Sequence, residues 1–414
     1  MYIHREIEQK IAPFLKRKEV LSFTGPRQAG KTTFIKHLEE KFRREGKKVR
    51  FLTFESKSDL DLFDKNPEDF KKLAEQYDVV IIDEFQYATD AGKKLKYLYD
   101  TTPTKYIVTG SSLLELTFQT GKYMVGRLLD FEILPFSFRE YLSFENKELQ
   151  KIIEDSGDIF DFKIKSGFGN EINKRLSREL EKFVVWGGYP AVVLSKTEEE
   201  KKKVLEGIVE KYLLRDIQGL LHLATEDELV RIGKFLAAQI GNLVKYQELS
   251  NISNLFYGDI IKHLNILQKT YIVDLLKPYY TNKMTELSKN PKSFFVDLGL
   301  RNYLLSDFRP LEVRNDFGAI MENYALTAFR KRFSGLSVKF WRTKSKAEVD
   351  FVIEKERQII PVEVKYSSKK IIGKSLFSFI EKFKPSKVIV LTKDLLSEEK
   401  RKNCLIQFIP LGYL

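Results

Sequence analysis

The chain has 414 residues, 43% hydrophobic and 31% charged, a length and balance that fit two to four globular domains and exclude a fibrous or largely disordered polypeptide. Its 71 Lys and Arg outnumber 58 Asp and Glu, and the net charge of +13 favours an anionic partner, because excess cations attract phosphate backbones over distance. A single cysteine, Cys404, excludes an internal disulfide and a thiolate zinc cage. The histidines His4, His37, His222 and His263 lack metal-site spacing and are assigned no ligand role, and no apolar run nears the roughly 18 residues a bilayer span needs, so a cytoplasmic protein without a membrane partner is expected.

Strand-length apolar runs recur through the first third, at Val20–Phe23, Phe51–Phe54, Val79–Ile82, Tyr106–Val108 and Phe131–Leu134. Segments of helical spacing such as Thr33–Glu45 and Asp69–Gln76 lie between them, which predicts an α/β fold with a parallel sheet over residues 1–140. The first run leads into Gly25-Pro26-Arg27-Gln28-Ala29-Gly30-Lys31-Thr32, followed by Thr33 and a helix. A glycine-rich loop between strand and helix lets backbone N–H groups surround phosphate, with Lys31 on the outer phosphates and the Thr32 hydroxyl on Mg²⁺. The segment Gly25–Thr33 is therefore read as an ATP·Mg site. The third run ends in Asp83-Glu84, where Asp83 is expected to hold Mg²⁺ through water and Glu84 to polarise the attacking water.

Two further residues complete this reading. Ser111, in Thr109-Gly110-Ser111-Ser112 after the fourth run, could sense the γ-phosphate, with an ordinary turn as the rival account. Arg127, just before the fifth run, could act as an arginine finger within the chain or across a subunit boundary, with a solvated surface arginine as its rival.

The glycine loop, the Asp-Glu strand, Thr-Gly-Ser-Ser, Gly126-Arg127 and Leu134-Pro135-Phe136-Ser137-Phe138-Arg139-Glu140-Tyr141 together resemble the AAA+-like P-loop ATPases of archaea and bacteria that carry a C-terminal domain of unknown function. The resemblance spans nearly the entire chain and implies a five-stranded sheet of order 5-1-4-3-2. Ser or Thr stands at the first sensor position where many AAA+ proteins have Asn.

Residues 141–221 take helical spacing, broken by Gly167, Gly169 and Trp186-Gly187-Gly188-Tyr189-Pro190, and read as a helical lid or connector. Over 222–285, helical patterns at Glu228–Ile240, Gln247–Asn251 and Asp259–Gln268 precede a ribbon of Tyr271–Leu276 and Lys277–Tyr280, which suggests a winged helix-turn-helix. Lys262, His263 and Lys269 lie on or beside its recognition helix, where they could meet DNA.

Residues 286–414 read as a separate α/β domain. Glu322, then Val349-Asp350-Phe351, then Val362-Glu363-Val364-Lys365 resemble the PD-(D/E)xK nuclease core. The resemblance implies Glu322 as an accessory carboxylate, Asp350 and Glu363 as Mg²⁺ ligands, and Lys365 as the group that positions water or stabilises developing charge. Strand alternation with a hairpin loop at Lys355–Gln358 places Asp350 opposite Glu363 and Glu348 opposite Lys365. Two facing carboxylates repel unless a cation lies between them.

The leading expectation is an ATP-hydrolysing switch that acts on or near DNA and carries a nuclease-like domain that could cleave with a bound metal. The alternatives are a non-cleaving ATP-dependent regulator that binds nucleic acid or protein, and a small-molecule kinase. ATP, Mg²⁺ and DNA are the expected ligands, with a homo-oligomer or protein partner as a further association.

Overall fold

The early apolar runs become five strands: β1 (Val20–Thr24), β2 (Val49–Thr53), β3 (Val79–Asp83), β4 (Lys105–Thr109) and β5 (Leu128–Glu132). The computed structural model describes residues 2–110, 123–163, 169–210, 226–333 and 335–414. Its contacts divide the chain into one unit of Met1–Pro135 with Lys269–Tyr271 and a second of Phe136–Gln268 with Ile272–Leu414.

In the first unit the strands pair in parallel in the order β2-β3-β4-β1-β5, the order the resemblance implied. Side chains alternate across such a sheet, so neighbouring apolar residues feed two separate cores. Val80, Ile82 and Val108 pack with Phe63, Phe85 and Leu95 on one face. Ile81, Ile107 and Phe23 pack with Phe34, Ile35 and Leu38 on the other, and the last three come from the helix Lys31–Arg44.

The second unit begins with the Ser137-Phe138-Arg139-Glu140 segment, which is a helix start. Ser137 Oγ accepts from the Glu140 N–H (3.1 Å), and the Glu140 carboxylate accepts from the Ser137 N–H (2.9 Å). The Trp186-Gly187-Gly188 turn is equally constrained, because a Cβ on Gly188 would stand 2.2 Å from the Phe136 carbonyl oxygen. Asp297 accepts from the Gly188 N–H (2.7 Å) and also caps the helix Leu298–Leu304 through Leu300 N–H (3.0 Å).

Three helices, Glu226–Ala238, Tyr246–Ser253 and Tyr257–Lys269, precede a two-stranded ribbon. The expected ribbon partner was Lys277–Tyr280, but β6 (Val273–Leu276) pairs antiparallel with β7 (Lys292–Phe295). Pro278 lacks an N–H to donate to a ladder, and it bridges Phe340 instead. The ribbon therefore crosses the expected boundary at residues 285 and 286.

Six strands follow: β8 (Ser337–Arg342), β9 (Glu348–Lys355), β10 (Gln358–Lys365), β11 (Lys387–Thr392), β12 (Ser397–Arg401) and β13 (Cys404–Pro410), in the order β12-β13-β11-β10-β9-β8. The β9–β10 hairpin has the expected register, with Glu354 facing Ile359. On the face that carries the acidic residues, Val352 is fully buried against Leu376 and Phe379 of the helix Lys374–Phe383. On the opposite face Phe351 meets Phe329 of the helix Phe317–Arg332, with ring centroids 5.7 Å apart. The sheet thus lies between two helices. Among the described residues, no helix is long and apolar enough to cross a membrane.

Candidate functional site

Two lysine-and-carboxylate centres stand out, one in each unit. In the first, the glycine loop leaves β1 with Gly25 at φ +150°, where a Cβ would lie 2.1 Å from the Ile133 carbonyl oxygen. Gln28 (φ +61°) and Gly30 (φ +94°) also adopt left-handed backbone, so the loop coils tightly before the helix begins at Lys31. The Lys31 ammonium is folded back onto the Gly25 and Pro26 carbonyls (3.0 and 2.8 Å). Burial pushes its pKa down to about 8, although Glu84 and Asp83 pull the other way. Uncharged carbonyls solvate an ammonium less well than water does, so an arriving phosphate would displace weak partners.

Beside the loop, Thr32 donates its hydroxyl to Asp83 Oδ2 (2.8 Å), and Thr109 of β4 donates to Asp83 Oδ1. These are hard oxygen donors of the kind Mg²⁺ prefers. Glu84 follows with φ +55°, a conformation costing a non-glycine residue about 1–2 kcal/mol. Its N–H donates to Thr109 Oγ1 (3.2 Å), and its carboxylate accepts from Gln86. Burial raises the Glu84 pKa, with Gln86 and Lys31 opposing. Thr24, the residue before the loop, shares a hydrogen bond with Tyr271 (3.2 Å), a contact distant in sequence that no local pattern signals.

Ser111 lies outside the described residues. Arg127 is not brought to the loop of its own chain. It precedes β5, whose Leu128 pairs with Val20 at the start of β1, whereas the glycine loop leaves the other end of that strand. Its guanidinium bonds Asp100 (2.9 Å).

The winged-helix residues are also redistributed. His263 is 2% exposed and its Nδ1–H donates to the Asp259 carbonyl (2.6 Å), so the ring faces the interior rather than a nucleic acid. Lys262 is exposed and pairs with Asp259. The prominent side chains nearby are apolar, with Phe256 83% and Tyr257 55% exposed.

The second centre sits on β9 and β10. The ladder's paired residues run to Phe351 and Val362, and the next pair in the same register is Asp350 and Glu363. Asp350 Oδ2 accepts from the Val364 N–H (2.7 Å). Glu363 Oε1 meets Lys365 (2.7 Å), whereas its buried Oε2 has no hydrogen-bond partner. Burial raises the pKa of both carboxyls. A buried orphan oxygen beside a second carboxylate fits a divalent cation of the Mg²⁺ class.

Glu322 stands within electrostatic reach of Asp350 and Lys365, and its ion-pair partner is a further lysine. The side chain of Lys292, 2% exposed, reaches from β7 to Glu322 (2.8 Å) and Glu348 (2.5 Å). Asn323 sets this contact by accepting from the Phe295 N–H and donating to the Phe295 carbonyl, each at 2.7 Å. Burial lowers the Lys292 pKa, but Glu322, Asp350 and Glu348 outweigh it and hold the ammonium charged. Lys292 was absent from the sequence-based site. Its signal is a lysine heading the apolar run Phe294-Phe295-Val296, where burial demands a carboxylate partner.

Residues 17–142, which hold the five-stranded sheet and its glycine loop, match the family model described as an AAA domain. Residues 177–311 and 317–414 match two domains of unknown function, DUF8612 and DUF4143. Similar proteins include an uncharacterised protein of Haemophilus influenzae, 26% identical over 88% of this chain and 86% of that one. An uncharacterised protein of Methanocaldococcus jannaschii is 25% identical over 94% of this chain and 84% of its own. Among solved structures, the ADP form of the Aeropyrum pernix ORC2 protein is 16% identical, covers 66% of this chain and 87% of its own, and has a TM-score of 0.33.

Proposed function

We propose that the protein is a Mg·ATP-hydrolysing switch acting on or near DNA, whose C-terminal acidic centre holds a divalent cation. The observation that carries the ATPase reading is the convergence of Thr32, Asp83 and Thr109 beside Glu84, at the C-terminal ends of the central strands where the glycine loop begins. Loop N–H groups and Lys31 bind and orient the phosphates, while Thr32 and Asp83 would hold the metal. Bound Mg²⁺ supplies charge neutralisation on the outer phosphates. Glu84 orients a water and accepts its proton, a task for which a buried carboxylate of raised pKa is suited. A carboxylate base can serve an acceptor hydroxyl as well as water, so turnover without an acceptor is what separates hydrolysis from the small-molecule kinase alternative. As an arginine finger, Arg127 would serve only a neighbouring copy of the chain.

ATP turnover without an acceptor, lost on Glu84→Gln while nucleotide binding persists, tests this reading. Equal loss of binding in Glu84→Gln and Lys31→Ala would overturn it.

In the C-terminal centre, Asp350 and the orphan oxygen of Glu363 would hold the cation, and Lys365 would orient water or steady developing charge. A second reading, binding without cleavage, is favoured by Lys292, which already neutralises Glu322 and Glu348. Metal-dependent cleavage of supercoiled, linear and single-stranded DNA, with Lys365→Ala as control, separates the two. The net charge of +13 supports an acidic polymer as partner.

A further inference from the structure

We propose that His4, Glu8 and His37 form a site for a borderline divalent transition-metal ion of the Zn²⁺ class, clipping the N-terminal segment to the helix that follows the phosphate loop. His4 and Glu8 sit one turn apart around the short helix Ile7–Ile11, and His37 projects from the helix Lys31–Arg44. His4 Nδ1 lies 3.4 and 3.5 Å from the two Glu8 oxygens, and His37 Nε2 lies 3.7 Å from Glu8 Oε2. One ligand atom from each residue can be chosen so that all lie within 4.8 Å of one another. A tetrahedral ion about 2.0–2.1 Å from each donor holds those donors about 3.4 Å apart, so only small adjustments are needed.

The surroundings are arranged as around a ligand set. Glu8 Oε1 accepts from Tyr2 Oη and from the Arg5 N–H, each at 2.8 Å, which fixes the carboxylate with Oε2 beside His37 Nε2. The Tyr2 ring stacks on His37 (centroids 3.8 Å apart, 8° between planes) and fixes its orientation. Outer contacts of this kind orient ligands in metal sites. Two imidazoles with one carboxylate suit Zn²⁺, Cu²⁺ or Ni²⁺ rather than Mg²⁺, and the remaining coordination position is left to water. His4 would bind through Nδ1 and His37 through Nε2, each keeping its proton on the other nitrogen. The clipped segment also bears Arg5, which donates to the Ala29 carbonyl in the phosphate loop (3.0 Å) and to the Leu134 carbonyl (2.5 Å). Metal loading would therefore steady a strut of the nucleotide site.

The test is a Zn²⁺ titration of the full-length protein in excess Mg²⁺, which occupies the hard oxygen sites, alongside a Co²⁺ titration followed by visible absorption. The wild-type chain should take up one more ion than the His4→Ala/His37→Ala variant, and Tyr2→Phe should bind about tenfold more weakly. His4 is 80% exposed at its side chain, so His4→Ala alone should weaken binding without unfolding the domain. Equal stoichiometry and affinity in wild type and double variant would overturn the proposal and leave an ordinary ion-pair cluster.

Discussion

The two lysine centres use the same residue types to opposite ends. Lys31 rests on neutral backbone carbonyls and its pKa falls to about 8, whereas Lys292 rests on carboxylates that outweigh its burial and raise its pKa. A lysine whose partners are uncharged leaves a positive centre that an anion completes. One enclosed by carboxylates is already compensated, and the acidic groups beyond it, Asp350 and Glu363, retain the demand for a cation. Sequence type therefore does not distinguish an anion site from a cation site; the lysine's neighbours do.

Experiments can sharpen or break this contrast. The largest effect is expected for Glu84→Gln, which should slow ATP hydrolysis by about 10²–10⁴-fold while nucleotide affinity holds, as read by single-turnover kinetics beside direct binding. Lys292→Met leaves Glu322 without its ion-pair partner, while Glu348 keeps Arg342, and should destabilise the fold by about 3–5 kcal/mol, read from denaturant midpoints. Mn²⁺ should restore part of that loss, and a Glu322→Gln/Lys292→Met double variant should be less damaged than the sum of its parts; strict additivity would contradict the pairing. Lys31→Ala should weaken Mg·ATP binding by about 10–100-fold, the worth of a charge-assisted contact.

The smallest effects concern pH. Only the charged form of Lys31 attracts phosphate, and its pKa of about 8 in the free protein should rise on binding, so nucleotide affinity should fall as pH climbs above about 8, with proton uptake detectable by calorimetry in two buffers. At the acidic centre the sign reverses. The raised Glu363 carboxyl, pushed to about 7 by burial and Asp350, must lose its proton to bind a cation. Mn²⁺ affinity should rise through pH 7 with proton release, and Glu363→Gln should flatten that profile. In the metal-free protein the same raised pKa means the folded state holds the proton more tightly than the unfolded one. Its contribution to stability is lost as pH rises through about 7.

Much of both centres was legible in local patterns. The glycine loop requires left-handed backbone at fixed positions, and strand alternation together with the position of the hairpin loop predicts the register that sets Asp350 opposite Glu363. The β12–β13 hairpin was missed because Ser397–Arg401 is a charged edge strand, where the residues that discourage edge pairing also erase the apolar signal. The ribbon was misassigned because β6 finds its partner beyond an intervening helix rather than in the next segment.

The sequence by itself determined the strand–loop–helix around the glycine loop, the Asp83-Glu84 pair and the facing carboxylates of the C-terminal hairpin. Each depends on the 2- and 3.6-residue periods of neighbouring backbone, which any reader of the chain can count. Tertiary structure alone decided that Lys292 meets Glu322 and Glu348, that Arg127 stands at the far end of β1 from the loop, and that His4 and His37 share Glu8. Lys292 meets its two carboxylates, and His37 meets Glu8, across long stretches of chain, through packing that no periodicity encodes. Short-range backbone geometry is local, but the charge that a buried side chain meets depends on which distant elements the core brings together.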